Sequence, residues 1–198
     1  MENNINLTKL IEEFKEIKKE HRRLIIQKSA LVVPGSSVIR VFEKETKDDI
    51  VSVLQKIPMD KLRNLDNETG FKSWFEEQLD KITRALKKRN RKNTRVNPGI
   101  KWGHAAKILN LSLRDLVVDL RIFDTKTTKR LIPWLYCPID GIIMRKIQGL
   151  GYSLPYKGIK NIDKKFFYNI QNLLGEAAKQ ANFHRVYFDY NWIQQREK

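Results

Sequence analysis

Apolar residues recur at helical spacing along most of the chain. From residue 5 to 29, Ile5, Leu7, Leu10, Ile11, Phe14, Ile17, Leu24 and Ile25 alternate with Lys and Glu, the pattern of an amphipathic helix with one packing face and one solvated face. Val33-Pro34-Gly35-Ser36-Ser37 breaks that pattern. Val38 to Phe42 has β propensity but no partner strand, so a short extended connector is expected. Thr46, followed by Asp48 and Asp49, opens a helix running to about Ile57, and Pro58 stops it. A short helix near 59–65 precedes a longer one from about Glu68 to Lys88, buried through Phe71, Trp74, Phe75, Leu79, Ile82, Ala85 and Leu86.

The stretch from residue 97 to 146 organises the rest. Pro98-Gly99 is a turn signal, and a long apolar helix follows it. Projected at about 100° per residue, Trp102, Ala105, Ala106, Leu109, Leu113, Leu116, Val117 and Leu120 fill one broad arc of that helix. Gly103, Lys107, Asn110, Arg114 and Arg121 form a narrow polar strip, with Leu111 and Val118 beyond it. A lysine between two apolar borders is desolvated, which favours the neutral, nucleophilic amine, so the strip is expected to line a cleft. Residues 124–135 read as a basic loop through Lys126, Lys129 and Arg130, closing on Leu131-Ile132-Pro133-Trp134-Leu135. Pro138 fits the first turn of the next helix and Asp140 lies in that same turn, where the helix dipole favours a carboxylate. A last helix spans about Asp163 to Asn182, capped by Asn161 or Asp163, and the aromatic end from Phe183 to Trp192 docks on the core.

Charge changes this picture from a generic helical protein to a polyanion binder. The chain of 198 residues carries a net charge of +16. Residues 1–70 hold 13 Lys+Arg and 12 Asp+Glu, whereas residues 71–198 hold 26 and 11, so nearly all the excess lies in the second part. Lys87, Lys88, Arg89, Arg91, Lys92 and Arg95 put six positive charges into nine residues with no acid, a run suited to a phosphate backbone. Exposed N–H groups at the helix opening near Gly99, Lys101 and Gly103 suit a phosphate as well. The expected organisation is all-α, with a helical segment or lobe over residues 1–66 and a compact multi-helix domain over 67–198. A single cysteine, Cys137, rules out an intramolecular disulfide framework. His21, His104 and His184 are scattered without ligand spacing, so neither a metal nor another cofactor is expected. With no signal peptide and no membrane-length apolar run, a soluble, monomeric, cytoplasmic protein associated with the nucleoid is expected, without a membrane partner.

Pro98-Gly99-Ile100, then Gly103-His104-Ala105-Ala106-Lys107-Ile108-Leu109-Asn110-Leu111-Ser112-Leu113-Arg114, then Cys137-Pro138-Ile139-Asp140-Gly141-Ile142-Ile143, resembles the helix-hairpin-helix DNA glycosylases over about 50 of the 198 residues. The likeness is greatest to the archaeal GO glycosylase branch, which excises oxidised guanine. That branch has a lysine opening a long apolar helix, a second basic residue two turns on and a Pro-X-Asp at a later helix start; Lys107, Arg114 and Pro138-Ile139-Asp140 occupy those positions here. Lys101-Trp102 stands where the usual hairpin has its second glycine, and in commoner branches the lysine lies within the hairpin, which makes Lys101 a rival to Lys107.

The resemblance implies a DNA glycosylase, with or without lyase activity, that flips a damaged or modified base out of the duplex. Lys107 and Asp140 would be catalytic. Lys87, Lys88, Arg89, Arg91, Lys92, Arg95, Gly99, Lys101, Gly103, Arg114, Lys129 and Arg130 are the candidates for contacting DNA, and Trp102, Trp134, Tyr190 and Trp192 for lining a base pocket. Two other classes fit the same composition: a non-catalytic basic helical nucleic-acid binder, and an adaptor or toxin-system component using the first amphipathic helix.

Overall fold

The computed structural model describes residues 45–86, 100–156 and 158–192, with 23, 25–27, 29–30, 37–39 and 42, and without the side chains of 37, 100, 101 and 190–192. These residues form an all-α structure with no strand of two or more residues. Its α-helices are α1 (Thr46–Gln55), α2 (Met59–Arg63), α3 (Glu68–Ala85), α4 (Ile100–Arg114), α5 (Thr125–Leu131), α6 (Gly141–Gly149) and α7 (Lys164–Gln180). The 3₁₀ segments Ser37–Ile39, Ile132–Trp134, Ile159–Asn161 and Arg185–Trp192 and a π-helical turn, Asp115–Asp119, complete it. The hairpin of the expected helix-hairpin-helix element, residues 87–99, lies outside the described residues, as does most of the first amphipathic helix.

The apolar arcs read from the sequence meet in one core. α3 packs on α4 and on α1, and α4 reaches α7 and the 3₁₀ segments Ser37–Ile39 and Ile159–Asn161. Phe42, Ile50 and Leu54 from the N-terminal part share this core with Phe71, Trp74 and Phe75 of α3, Leu109 of α4 and Phe167 of α7. Phe75 stacks on Phe167 at 6.1 Å and meets Tyr136 edge-on at 4.9 Å, so aromatic rings fill the α3–α7 contact.

Four local expectations are corrected by the structure. Residues 38 and 39 belong to a 3₁₀ turn, because Phe42 N–H returns to the Ile39 carbonyl at 2.9 Å. The expected basic loop at 124–135 is helical: Asp124 caps α5 by accepting from Thr127 N–H at 2.9 Å and from its hydroxyl at 2.8 Å. α4 stops at Arg114 and loosens into the π turn, which leaves Arg121 beyond the helix at φ 48°. Pro138 lies ahead of α6 rather than inside it, because Asp140 is the residue that closes the helix N-terminus.

Candidate active site

The first helix of the site, α4, is fixed by a glycine. Gly103 is buried, and a Cβ there would stand 2.2 Å from the Ile159 carbonyl oxygen and 2.9 Å from Ile162 Cβ. Only the absence of a side chain lets α4 lie directly on Ile159–Ile162. Gly103 therefore serves packing, and the expectation that it meets a phosphate is corrected, since its surface is covered.

One turn later Lys107 crosses to the start of α6. Its Nζ donates to Asp140 Oδ2 at 2.9 Å, over a sequence separation of 33 residues, with the two side chains 14% and 17% exposed. Asp140 is the N-cap of α6, and its second oxygen, Oδ1, accepts from the N–H groups of Ile142 at 2.9 Å and Ile143 at 3.0 Å. One oxygen is thus committed to the helix and the other faces the amine. The segment leading to Asp140 is held from beneath by Gln171 of α7, whose amide accepts from Cys137 N–H at 2.9 Å and donates to the Cys137 carbonyl at 2.8 Å. These two bonds set the carboxylate's position across from α4.

The remaining members of the polar strip close up rather than opening a cleft. Arg114 pairs with Asp189 of the C-terminal 3₁₀ segment, which is 4% exposed, and its Nε lies 3.7 Å from Asp119. Its expected phosphate contact is corrected, since a buried carboxylate already engages the guanidinium. Asn110, 1% exposed, has neither amide atom partnered among the described residues. The strip is an interior polar seam in which Lys107, Asp140 and Arg114 keep a small exposure while Asn110 and Asp189 are buried. An open groove of about 620 Å³ lies elsewhere, between residues such as Pro133, Gly175, Lys179 and His184.

Of the other anticipated residues some make packing contacts, Lys129 stays exposed, and the rest lie outside the described residues. Arg130, expected to face DNA, donates to the Arg63 carbonyl and so ties α5 to α2. Lys129 remains exposed. Trp102 meets Phe167 edge-on at 5.2 Å and Trp134 packs on Phe71 at 6.4 Å, and both, expected as pocket walls, are half-buried at the border of the core. His104 is buried and edge-on to Phe42 at 5.2 Å. Lys87, Lys88, Arg89, Arg91, Lys92, Arg95 and Gly99 lie outside the described residues, as do the side chains of Lys101, Tyr190 and Trp192.

Two residues the sequence did not single out stand beside Asp140. The Cβ position of Gly141 is 3.4 Å from Arg145 Nη1 and 3.6 Å from the Tyr156 hydroxyl. Burial pushes the Tyr156 phenol up, and the Asp140 charge adds to the effect. Arg145 was legible as the residue one turn on from Gly141, whereas nothing in the sequence of the 150–156 loop announces that it returns Tyr156 to this place. Cys137, fully buried three residues before Asp140, has its thiol pushed up by burial and by the same carboxylate, which makes it a packing group rather than a nucleophile.

Among the described residues no group of three or more His, Cys, Asp or Glu side chains is gathered as a metal site, and no helix is long and apolar enough to cross a membrane. Comparison of the chain with models of protein families, with curated proteins and with solved structures finds no match.

Proposed function

We propose that this protein is a DNA glycosylase with lyase capability, in which Lys107 is the nucleophile and Asp140 its proton acceptor and electrostatic partner. The observation that carries the reading is the 2.9 Å contact between Lys107 Nζ and Asp140 Oδ2, two groups whose roles the sequence resemblance anticipates. Asp140 Oδ2 is the nearest base to the amine in this seam, while Oδ1 stays bound to α6 and keeps the carboxylate oriented.

In the reaction, a flipped nucleotide displaces part of the seam and brings its sugar C1′ to Lys107. The ammonium proton passes to Asp140, and the neutral amine forms the C1′–N bond. The bond between C1′ and the base breaks, its electron pair leaving with the base, which takes up the proton that Asp140 received. As it passes that proton on, Asp140 returns to its ionised form and offsets the positive charge left on the sugar and the attached amine. The attached nitrogen loses a proton and O4′ gains one as the C1′–O4′ bond breaks, which gives a Schiff base; loss of a C2′ proton to the ionised Asp140 then expels the 3′ phosphate oxygen by β-elimination. The excess of +15 in residues 71–198 supplies the long-range attraction for the duplex.

The same contact supports a second reading, a basic nucleic-acid binder in which Lys107 and Asp140 only join α4 to α6. It is favoured by the cap: Asp140 has a complete structural role in holding the α6 N-terminus. A screen of duplexes carrying oxidised, deaminated and alkylated bases, scored for released base, separates the two. Release by the wild type that is abolished in Lys107→Gln supports the enzyme. Salt-dependent binding that is unchanged in Lys107→Gln and Asp140→Asn, with no base released, supports the binder.

A further inference from the structure

Of the strip residues within α4, Lys107 and Arg114 are each paired with a carboxylate, and Gly103 is covered by the Ile159 carbonyl. Asn110 is different. It is 1% exposed, and neither its amide oxygen nor its amide nitrogen has a hydrogen-bond partner among the described residues. A buried amide left unmet costs stability, whereas an apolar side chain of the same shape in its place is close to neutral or stabilising. A leucine would therefore pack here at least as well, so packing does not account for an asparagine at this place.

Its place relative to Lys107 decides what the amide can meet. Asn110 follows Lys107 by three residues and precedes Arg114 by four, spacings that put side chains on one helix face with Cβ atoms about 5–6 Å apart. A nucleotide whose C1′ is brought to Lys107 has no room for its base one turn back along the strip, because Ile159 and Ile162 lie directly on Gly103. The side left for the base is the one that holds Asn110. An asparagine amide presents an acceptor beside a donor, so the edge that fills it sets a donor beside an acceptor, as adenine does with N6 and N7. An edge made of acceptors alone leaves the amide oxygen empty, and a site built on hydrogen bonds rejects an analogue that lacks one of them.

We infer that Asn110 selects the extruded base through a paired hydrogen bond to an edge that sets a donor beside an acceptor, and so rejects a base without a donor. The inference rests on the proposed base extrusion, and its test needs no excision. The full chain is titrated with duplexes that carry one mispaired base on a 2′-fluoroarabino sugar, which resists loss of the base. Adenine, hypoxanthine and uracil each offer a donor beside an acceptor, whereas unsubstituted purine offers acceptors only. The wild type binds at least one of the first three about five-fold or more tightly than purine, the discrimination expected of a bidentate amide contact. Asn110→Leu equalises the bases and melts no lower than wild type, since the lost amide had no partner in the fold. Asn110→Ala gives the same reading if leucine unfolds the chain. Ser112→Ala, which removes another buried and unpartnered group from the far side of α4, keeps the wild-type preference. A smaller preference in the wild type, or one that Asn110→Leu and Asn110→Ala leave intact, overturns the assignment. The same bases on ordinary deoxyribose report release separately. A preference that depends on Asn110 without release of any base overturns the glycosylase reading and leaves base recognition standing, whereas release whose choice of base is unchanged in Asn110→Leu overturns the role of Asn110 alone.

Discussion

Lys107 and Asp140 meet at 2.9 Å although 33 residues separate them, and the carboxylate that receives the amine is also the N-cap of α6. Stability and the proposed chemistry therefore fall on one residue, and two substitutions pull them apart. Asparagine caps a helix about as well as aspartate, whereas alanine does not. Asp140→Ala is expected to lose about 1–2 kcal/mol from the cap alone, with more from leaving Lys107 unpaired in a mostly covered seam. Asp140→Asn is expected to keep most of that stability and to lose base release. Urea denaturation beside a single-turnover assay of both variants checks this.

Arg114 and Asp189 make the second pair of the seam, with Asp189 almost fully buried. Removing one partner of a buried pair costs about 3–5 kcal/mol, because the other charge is stranded. Arg114→Met is therefore expected to lower the melting temperature sharply. It should leave the dependence of DNA affinity on salt unchanged, since the guanidinium faces Asp189. A phosphate-contacting arginine behaves oppositely, lowering the salt slope by about one.

The long periodic stretches made the helical class and most of the core readable, because Phe71, Trp74, Phe75 and Leu79 or Phe167, Ile170 and Leu174 recur at the spacing a buried helical face requires. Lys107 and Asp140 were readable as types within a family pattern, but their meeting depends on Gln171 fixing the 137–140 segment, a contact across chain separations of 34 that no local pattern encodes. The same blindness hid the partners of Arg114 and Arg130, since an arginine bound to Asp189 or to the Arg63 carbonyl looks in sequence like one free for phosphate. Asp124 carried a legible cap signal that the density of charge around Lys126, Lys129 and Arg130 obscured.

Gly103 sets two opposing terms against each other. Alanine in a helix is favoured over glycine by about 1 kcal/mol. The added methyl would sit 2.2 Å from the Ile159 carbonyl oxygen, a backbone atom that cannot turn aside. Overpacking of this kind costs about 1–3 kcal/mol, so the clash wins. Gly103→Ala is expected to be destabilised and, through displacement of α4, to release base more slowly; thermal denaturation and single-turnover rates report both.

Alkaline pH should loosen the fold in stages. Burial pushes the Cys137 thiol up from its usual value of 9.0, and pushes the Tyr136 phenol from 10.0 up to about 12. The unfolded chain gives up these protons first, so the stability present below about pH 9 declines as pH rises towards 12, by about 1.4 kcal/mol per pH unit for each such group. Cys137→Ala should flatten the decline above pH 9 and Tyr136→Phe the part between 10 and 12. Urea midpoints measured across this range decide the matter.

The most direct test of the proposed catalytic amine is to react the full chain with a duplex whose base it releases, reduce with borohydride, and locate the attached deoxyribose by peptide mapping. The adduct is predicted on Lys107, with none formed by Lys107→Gln. An adduct on Lys101, or base release that persists unchanged in Lys107→Gln, would contradict the assignment.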